Sequence, residues 1–196
     1  MTRRWLAVLA LAAGTALFGA AMAGRQAVNP WHANAAAALV VIALSAAAMG
    51  SRMRALFAFR LRSAIVAAGL GVAMVAATHV GFLLASDLFP GLHGTVAGLY
   101  RDIDDPTPGA AWTLILVGLI VGAEEVLWRG VAVEICREQL SRTWVAVVAV
   151  ALYALPQVIG GSFVLIAAAV VVGTVFTVQR LAHGRLTEPL ITHLIW

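Results

Sequence analysis

Apolar residues run through the chain in long blocks, at about residues 5–23, 33–50, 63–86, 110–135, 143–159 and 162–179, and a further block begins near 186. Each complete block is close to the ~20 residues a helix needs to cross a hydrocarbon core. Periodicity says little inside such blocks, because a helix surrounded by lipid is apolar on every side. Length and the absence of charge carry the assignment instead. None of the blocks alternates in the ~10-residue segments of a membrane barrel. The pattern predicts an all-α, polytopic transmembrane helix bundle of about seven spans, the last cut short at Trp196. Residues 1–196 read as one membrane-embedded domain, with the residues that could do chemistry in 110–196.

Composition agrees. Hydrophobic residues make up 62% of the chain and charged ones 11%, against roughly a quarter charged in a soluble domain. The lipid bilayer is therefore the expected surrounding. All 13 basic residues are arginine. They lie between apolar runs, without the aromatic-interleaved clustering of a nucleic-acid surface, so no nucleic acid is expected. With the N-terminus placed in the cytoplasm, the inner segments hold Arg3, Arg4, Arg52, Arg54, Arg60, Arg62, Arg137, Arg142, Arg180 and Arg185, and the outer ones only Arg25 and Arg101. That asymmetry supports the orientation and a multi-pass protein of a bacterial inner or cell membrane. The run after Arg3 and Arg4, ending in Ala21-Met22-Ala23, also looks like a cleavable signal peptide; its length favours a retained span. The longest connection, from Asp87 to Gly109, is acidic (Asp87, Asp102, Asp104, Asp105) and rich in Gly and Pro, including Pro106 and Pro108. It is expected to be turn-rich and interfacial, with His93 and Tyr100 as polar tips rather than ligands. Cys136 is the single cysteine, which excludes an internal disulfide and a cysteine-based metal site. Gly118 and Gly122 form a small-xxx-small pair expected to admit a neighbouring helix closely.

The exceptions to apolarity are more informative. Glu124 and Glu125 fall midway along the fourth block, where a charge is expensive. A structural ion pair explains part of this, since Glu125 and Arg129 are i,i+4 neighbours on a helix. It leaves Glu124 about 100° away and unpaired within its own helix. Such a carboxyl can act as a general base on water. The fifth block carries Tyr153 and the pair Pro156-Gln157. The proline is expected to kink the helix and turn freed carbonyls and the Gln157 amide toward the bundle interior. The seventh block carries Thr192 and His193. A lone histidine in an apolar run is usually just packed, but here three spans each bring a polar group to membrane depth. Counting the rise along each helix puts Glu124 roughly 15 Å and His193 roughly 10 Å from the inner surface. Gln157 computes deeper, so kink and tilt would have to bring it in.

Glu124-Glu125-Val-Leu-Trp-Arg129-Gly130 resembles the EExxxR motif of the CPBP intramembrane proteases, the CAAX-prenyl-protease and bacteriocin-processing (Abi) proteins. Tyr153-xxx-Gln157 stands in the place of that family's FxxxH motif. Gly184-Arg185-Leu-Thr-Glu-Pro189-Leu-Ile-Thr-His193 resembles the segment that leads into its HxxxN/D motif. Order and spacing match over 110–196. The resemblance implies that Glu124 activates a water against a peptide carbonyl, that Glu125 and Arg129 organise the site, and that the histidines bind the water or the developing oxyanion. There are two departures. Gln157 replaces a histidine, and glutamine is a poor zinc ligand; a divalent metal such as zinc is thereby disfavoured, while an oxyanion donor is kept. The Asn or Asp of the last motif would follow Trp196, so the chain is read either as part of a longer one or as a degenerate member.

The leading expectation is an intramembrane endopeptidase, glutamic rather than zinc-dependent. It would cut a membrane-anchored or lipidated protein or peptide near the cytoplasmic face, through a cavity opening on that side. One competing reading is a non-catalytic immunity or scaffold protein that keeps the fold. Another is a small carrier using Glu124 and Glu125 as a proton relay, against which Arg129 stands one turn away.

Overall fold

The computed structural model describes residues 2–103 and 109–196. Among them every regular element is a helix: α1 (Arg3–Ala23), α2 (Pro30–Met49), α3 (Arg52–Leu56), α4 (Leu61–Leu88), α5 (Leu92–Ile103), α6 (Ala110–Glu124), a π-helical segment (Glu125–Val131), α7 (Ala132–Cys136), α8 (Arg142–Ile159), α9 (Phe163–His183) and α10 (Thr187–Ile195). Six helices are long and apolar enough to cross a membrane, with α6, the π segment and α7 forming one continuous span. The seventh, α10, starts where the last apolar block starts.

Local chemistry sets the ends. Pro30 opens α2, where its missing N–H costs nothing, and the Asn29 side chain accepts from the N–H groups of Trp31 and His32 at 3.0 and 3.2 Å. Gly184 closes α9 with φ of 71°, a left-handed cap that glycine adopts without a Cβ clash.

Successive spans run in alternate directions. At the end of the bundle where α1 begins, called here the N-terminal face, the Leu186 N–H donates to Leu56 O at 2.7 Å and the Thr187 hydroxyl to Ala58 O at 3.1 Å. At the opposite face, Arg25 Nη1 donates to Gly160 O at 3.0 Å. Helix α1 packs on α2 and α8, α8 on α9, and α10 between α4 and α9; the π segment touches α1, α2, α8 and α9. The main core collects Phe18, Val41, Leu127, Trp128, Tyr153 and Phe176 around that segment.

Close approach occurs at glycines other than those expected. A Cβ on Gly14 would run into Leu127, and one on Gly19 would meet Ile159 Cδ1 at 2.7 Å, whereas a Cβ on Gly118 or Gly122 would meet no atom within 4 Å. The small-xxx-small spacing is present in α6, but among the described residues no helix packs against that side of it.

The connection after α4 also differs from expectation. Rather than turns alone it contains α5, which half-buries Leu92, Val96 and Leu99 along one stripe and packs on α2 and α4. Apolar residues at i, i+4 and i+7 suffice for an amphipathic helix, and Gly94 and Gly98 do not break it. His93 meets Phe82 edge-on, with ring centroids 4.9 Å apart, and Tyr100 is exposed. Asp104, Asp105, Pro106 and Pro108 lie outside the described residues.

Replacing Gly14 by Val should lower stability by about 1–3 kcal/mol, because the added methyls have no space beside Leu127. Gly118→Ala should change it by less than about 0.5 kcal/mol. Thermal unfolding of the two variants in one detergent measures the contrast.

Candidate active site

The fourth span changes its winding where its charges begin. Glu124 ends α6, and Glu125 opens the π segment, in which the Ala132 N–H donates to Leu127 O, five residues back. Such single wide turns inside α-helices recur at functional sites. The segment is buried from Glu125 to Val131, and its wider turn keeps Glu125 and Arg129 on one side.

Glu125 is fully buried and engaged on Oε1. That oxygen accepts from Arg129 Nη1 at 3.2 Å and lies 2.8 Å from His193 Nδ1. Arg129 also donates from Nη2 to Gly173 O at 3.3 Å. Its guanidinium carbon lies 4.1 Å from the centre of the Tyr153 ring and 5.2 Å from that of Phe176, within cation–π range. A buried ion pair stands only with such additional partners, since the attraction alone does not repay the loss of water. Gly173 makes the arrangement possible. A Cβ there would meet Tyr153 Cδ1 at 2.7 Å and Arg129 Nη2 at 3.4 Å.

His193 is held on several sides. Its ring stacks on Phe176 with centroids 4.4 Å apart and meets Tyr153 edge-on at 6.4 Å. With Nδ1 donating to the Glu125 carboxylate, a neutral ring keeps the lone pair on Nε2. Nε2 lies 3.8 Å from Glu124 Oε2, too far for a direct hydrogen bond. Helix α10, which carries His193, is fastened on both sides. Gln179 Nε2 donates to Thr192 Oγ1 at 2.8 Å, and Thr192 Oγ1 donates to Ala67 O at 2.9 Å. Glu188 in its first turn pairs with Arg185, which precedes the helix.

Glu124 is placed differently from its neighbour. Its side chain is 17% exposed, against 0% for Glu125. It lines a cavity of about 180 Å³, together with Asn34 and Gln157 and the apolar Phe18, Met22, Trp31 and Ile120. Gln157 Oε1 is buried with no hydrogen-bond partner among the described residues. The depth mismatch expected for Gln157 is thus bridged by a shared cavity. Pro156 falls in the last turn of α8, which continues as helix to Ile159.

The cavity corrects one expectation. It was expected to open at the N-terminal, arginine-rich face, but its walls come from the end of α1, the start of α2 and the end of α8. It therefore extends from Glu124 toward the opposite face. Two of the arginines assigned to inner loops are also not loop charges. Arg180 is 2% and Arg185 9% exposed, each in an ion pair. Arg180 binds Glu134 at 2.7 Å and donates from Nε to Arg129 O at 3.0 Å, which ties the π segment to α9.

Five of the six residues singled out from sequence come together in one cluster: Glu124, Glu125, Arg129, Tyr153 and His193. The sixth, Gln157, joins through the cavity. Among the described residues no three His, Cys, Asp or Glu side chains group so as to hold a metal ion.

Residues 107–196 match the family model described as type II CAAX prenyl endopeptidase Rce1-like. The chain is similar to that family over this stretch, a little under half of its length. The matched stretch contains the π segment, Tyr153, Gln157 and His193 and stops short of α1 and α2. The likeness to the Rce1-like family supports a protease in general, and the six long apolar helices among the described residues support an integral membrane protein. No curated protein and no solved structure matches the chain.

Several contributors had gone unremarked: Asn34, Glu134, Gly173, Phe176 and Gln179. Asn34 carried a usable signal, being an amide inside an apolar block like Gln157. Glu134 carried a weaker one, as a carboxylate near the end of the fourth span. Gly173 and Phe176 carried none, because glycine and phenylalanine are ordinary in such helices.

Arg129→Ala should cost about 3–5 kcal/mol, since it leaves the Glu125 carboxylate buried without its cation. Arg129→Lys should not restore that, because an ammonium cannot make the forked contacts or stack between two rings. Melting temperature and yield in detergent report both.

Proposed function

We propose that the protein is an intramembrane endopeptidase in which Glu124 activates a water against a peptide bond of a membrane-anchored or lipidated substrate. The supporting observation is the separation of roles between adjacent carboxylates. Glu125 is consumed by Arg129 and His193, while Glu124 lines a cavity that also holds a free amide.

Glu124 takes a proton from a water as the water oxygen attacks the carbonyl carbon. The carbonyl oxygen becomes an oxyanion, to which Gln157 Nε2 donates. The C–N bond then breaks, and the proton held by Glu124 passes to the departing nitrogen. His193 orients the water through Nε2, because Glu125 holds the other ring nitrogen. Glu125 and Arg129 are positioning residues; they reach the reacting atoms only through His193 and the helix they brace. Tyr153 packs on the guanidinium and keeps it in place.

We take the N-terminal face as cytoplasmic, on the arginine asymmetry. The cavity then lies toward the other side of the membrane, and the bond is cut at mid-depth rather than near the cytoplasmic surface. One observation favours the non-catalytic reading, namely the amide of Gln157 where the family resemblance places a histidine. A proton relay is disfavoured, because Arg129 and His193 both hold Glu125.

With a membrane-anchored prenylated CAAX reporter, Glu124→Gln should lower the cleavage rate by about 10²–10⁴ and leave the melting temperature unchanged. Full activity in that variant would refute the mechanism. Equal inactivity of the wild type and the variant would favour the scaffold reading. Gln157→Ala should cost about 10²–10³ in kcat, and incubation with a strong chelator should leave the wild-type rate as it was.

A further inference from the structure

We infer that Asn34, on α2, binds the substrate backbone beside the scissile bond and so makes cleavage depend on a free peptide N–H there. This rests on the endopeptidase reading and adds a specificity-determining residue to it.

Asn34 lies within an apolar span, where an amide is costly unless it is bonded. Its Nδ2 donates to Pro30 O at 2.8 Å. Helix α2 does not need that bond. The Asn29 side chain already accepts from the exposed N–H groups of Trp31 and His32, and Pro30 O is the acceptor one helical turn back for the Asn34 backbone N–H. What the bond does is hold the amide in one orientation, with Oδ1 making no hydrogen bond among the described residues, in a side chain that lines the cavity.

The three polar side chains on the cavity differ in kind. Glu124 is a carboxylate without a direct hydrogen bond, Gln157 is an amide whose nitrogen is a donor, and Asn34 offers an acceptor. An extended peptide presents the complement: a carbonyl to be attacked, its oxygen seeking a donor, and a neighbouring N–H seeking an acceptor. The intervening walls, Phe18, Met22 and Ile120 among them, are apolar. Gln157 Nε2 therefore takes the scissile carbonyl, and Asn34 Oδ1 takes the N–H of an adjoining peptide unit. Proline or an N-methylated residue at that position removes the donor and leaves Oδ1 facing a methyl or methylene group.

The test is a scan of prenylated CAAX reporter peptides, each N-methylated at one backbone nitrogen around the cut. With the wild type, one of them should lose at least about 10-fold in kcat/KM, the scale of one unsatisfied buried acceptor. In Asn34→Leu, which keeps the branched heavy-atom skeleton and removes the polar atoms, that peptide and its parent should differ by less than about 3-fold. Asn34→Asp keeps an acceptor oxygen and should keep the discrimination. Melting curves of both variants identify any that fail to fold. The same penalty in the wild type and in folded Asn34→Leu overturns the inference and leaves Glu124 catalysis standing. The peptides are also titrated onto Glu124→Gln, with and without Asn34→Leu, and read by thermal shift. Asn34-dependent loss of binding for the one N-methyl peptide, together with a wild type that cleaves none of the peptides, supports the contact while removing the protease reading. No difference among the peptides in either assay removes the inference.

Discussion

Glu125 has no contact with solvent in the middle of a bundle built for lipid, and what it binds determines the arrangement around it. Its Oε1 receives Arg129 from its own span and meets His193 from α10. Arg129 is in turn held by a carbonyl of α9 and by the faces of Tyr153 and Phe176. The contacts thus join the fourth span to α8, α9 and α10. Helices in a bilayer gain little from hydrophobic association, because the lipid tails are as apolar as their side chains. A buried charge that must find partners is accordingly a strong determinant of which helices meet and in what register. The Gln179–Thr192–Ala67 chain does the same for α9, α10 and α4 with neutral groups.

That arrangement places two adjacent carboxylates in opposite circumstances. One is fully buried and bonded to both Arg129 and His193 through a single oxygen. The other turns away from it to a cavity with an amide opposite. In the proposed reaction one carboxylate accepts and returns a proton while the charges around it stay fixed. The change from α to π winding at Glu125 is where the two roles separate. Arg180, bonded to the carbonyl of Arg129 and paired with Glu134, braces the far side of the same turn.

Much of this could be read along the chain. The apolar blocks predicted the spans closely, because in lipid the length of an uncharged run is itself the structural constraint. The pairing of Glu125 with Arg129 followed from helical spacing, and the special position of Glu124 from its being left over. The misreadings have physical causes too. Gly118 and Gly122 had the spacing of a contact but sit on a side of α6 that no helix faces. Arg180 has the position of a loop charge because sequence does not show that Glu134 lies beside it, whereas the partner of Arg185, Glu188, stands only three residues on. The stretch after α4 was taken for turns because its glycines drew more weight than the spacing of Leu92, Val96 and Leu99.

By itself, then, the sequence determined an all-helical membrane protein with several spans, a costly set of charges in the fourth and polar groups in the fifth and seventh. These follow from the free energy of placing each residue in hydrocarbon, a property of the residue and its immediate neighbours along the chain. Only the tertiary structure decided that His193 sits on Glu125 rather than on Glu124, that Gln157 and Asn34 share a cavity with Glu124, and that this cavity reaches toward the face opposite the N-terminus. Those are relations between helices, set by how side chains as unremarkable as Gly14, Gly173 and Phe176 allow the spans to pack, and no single span carries that information.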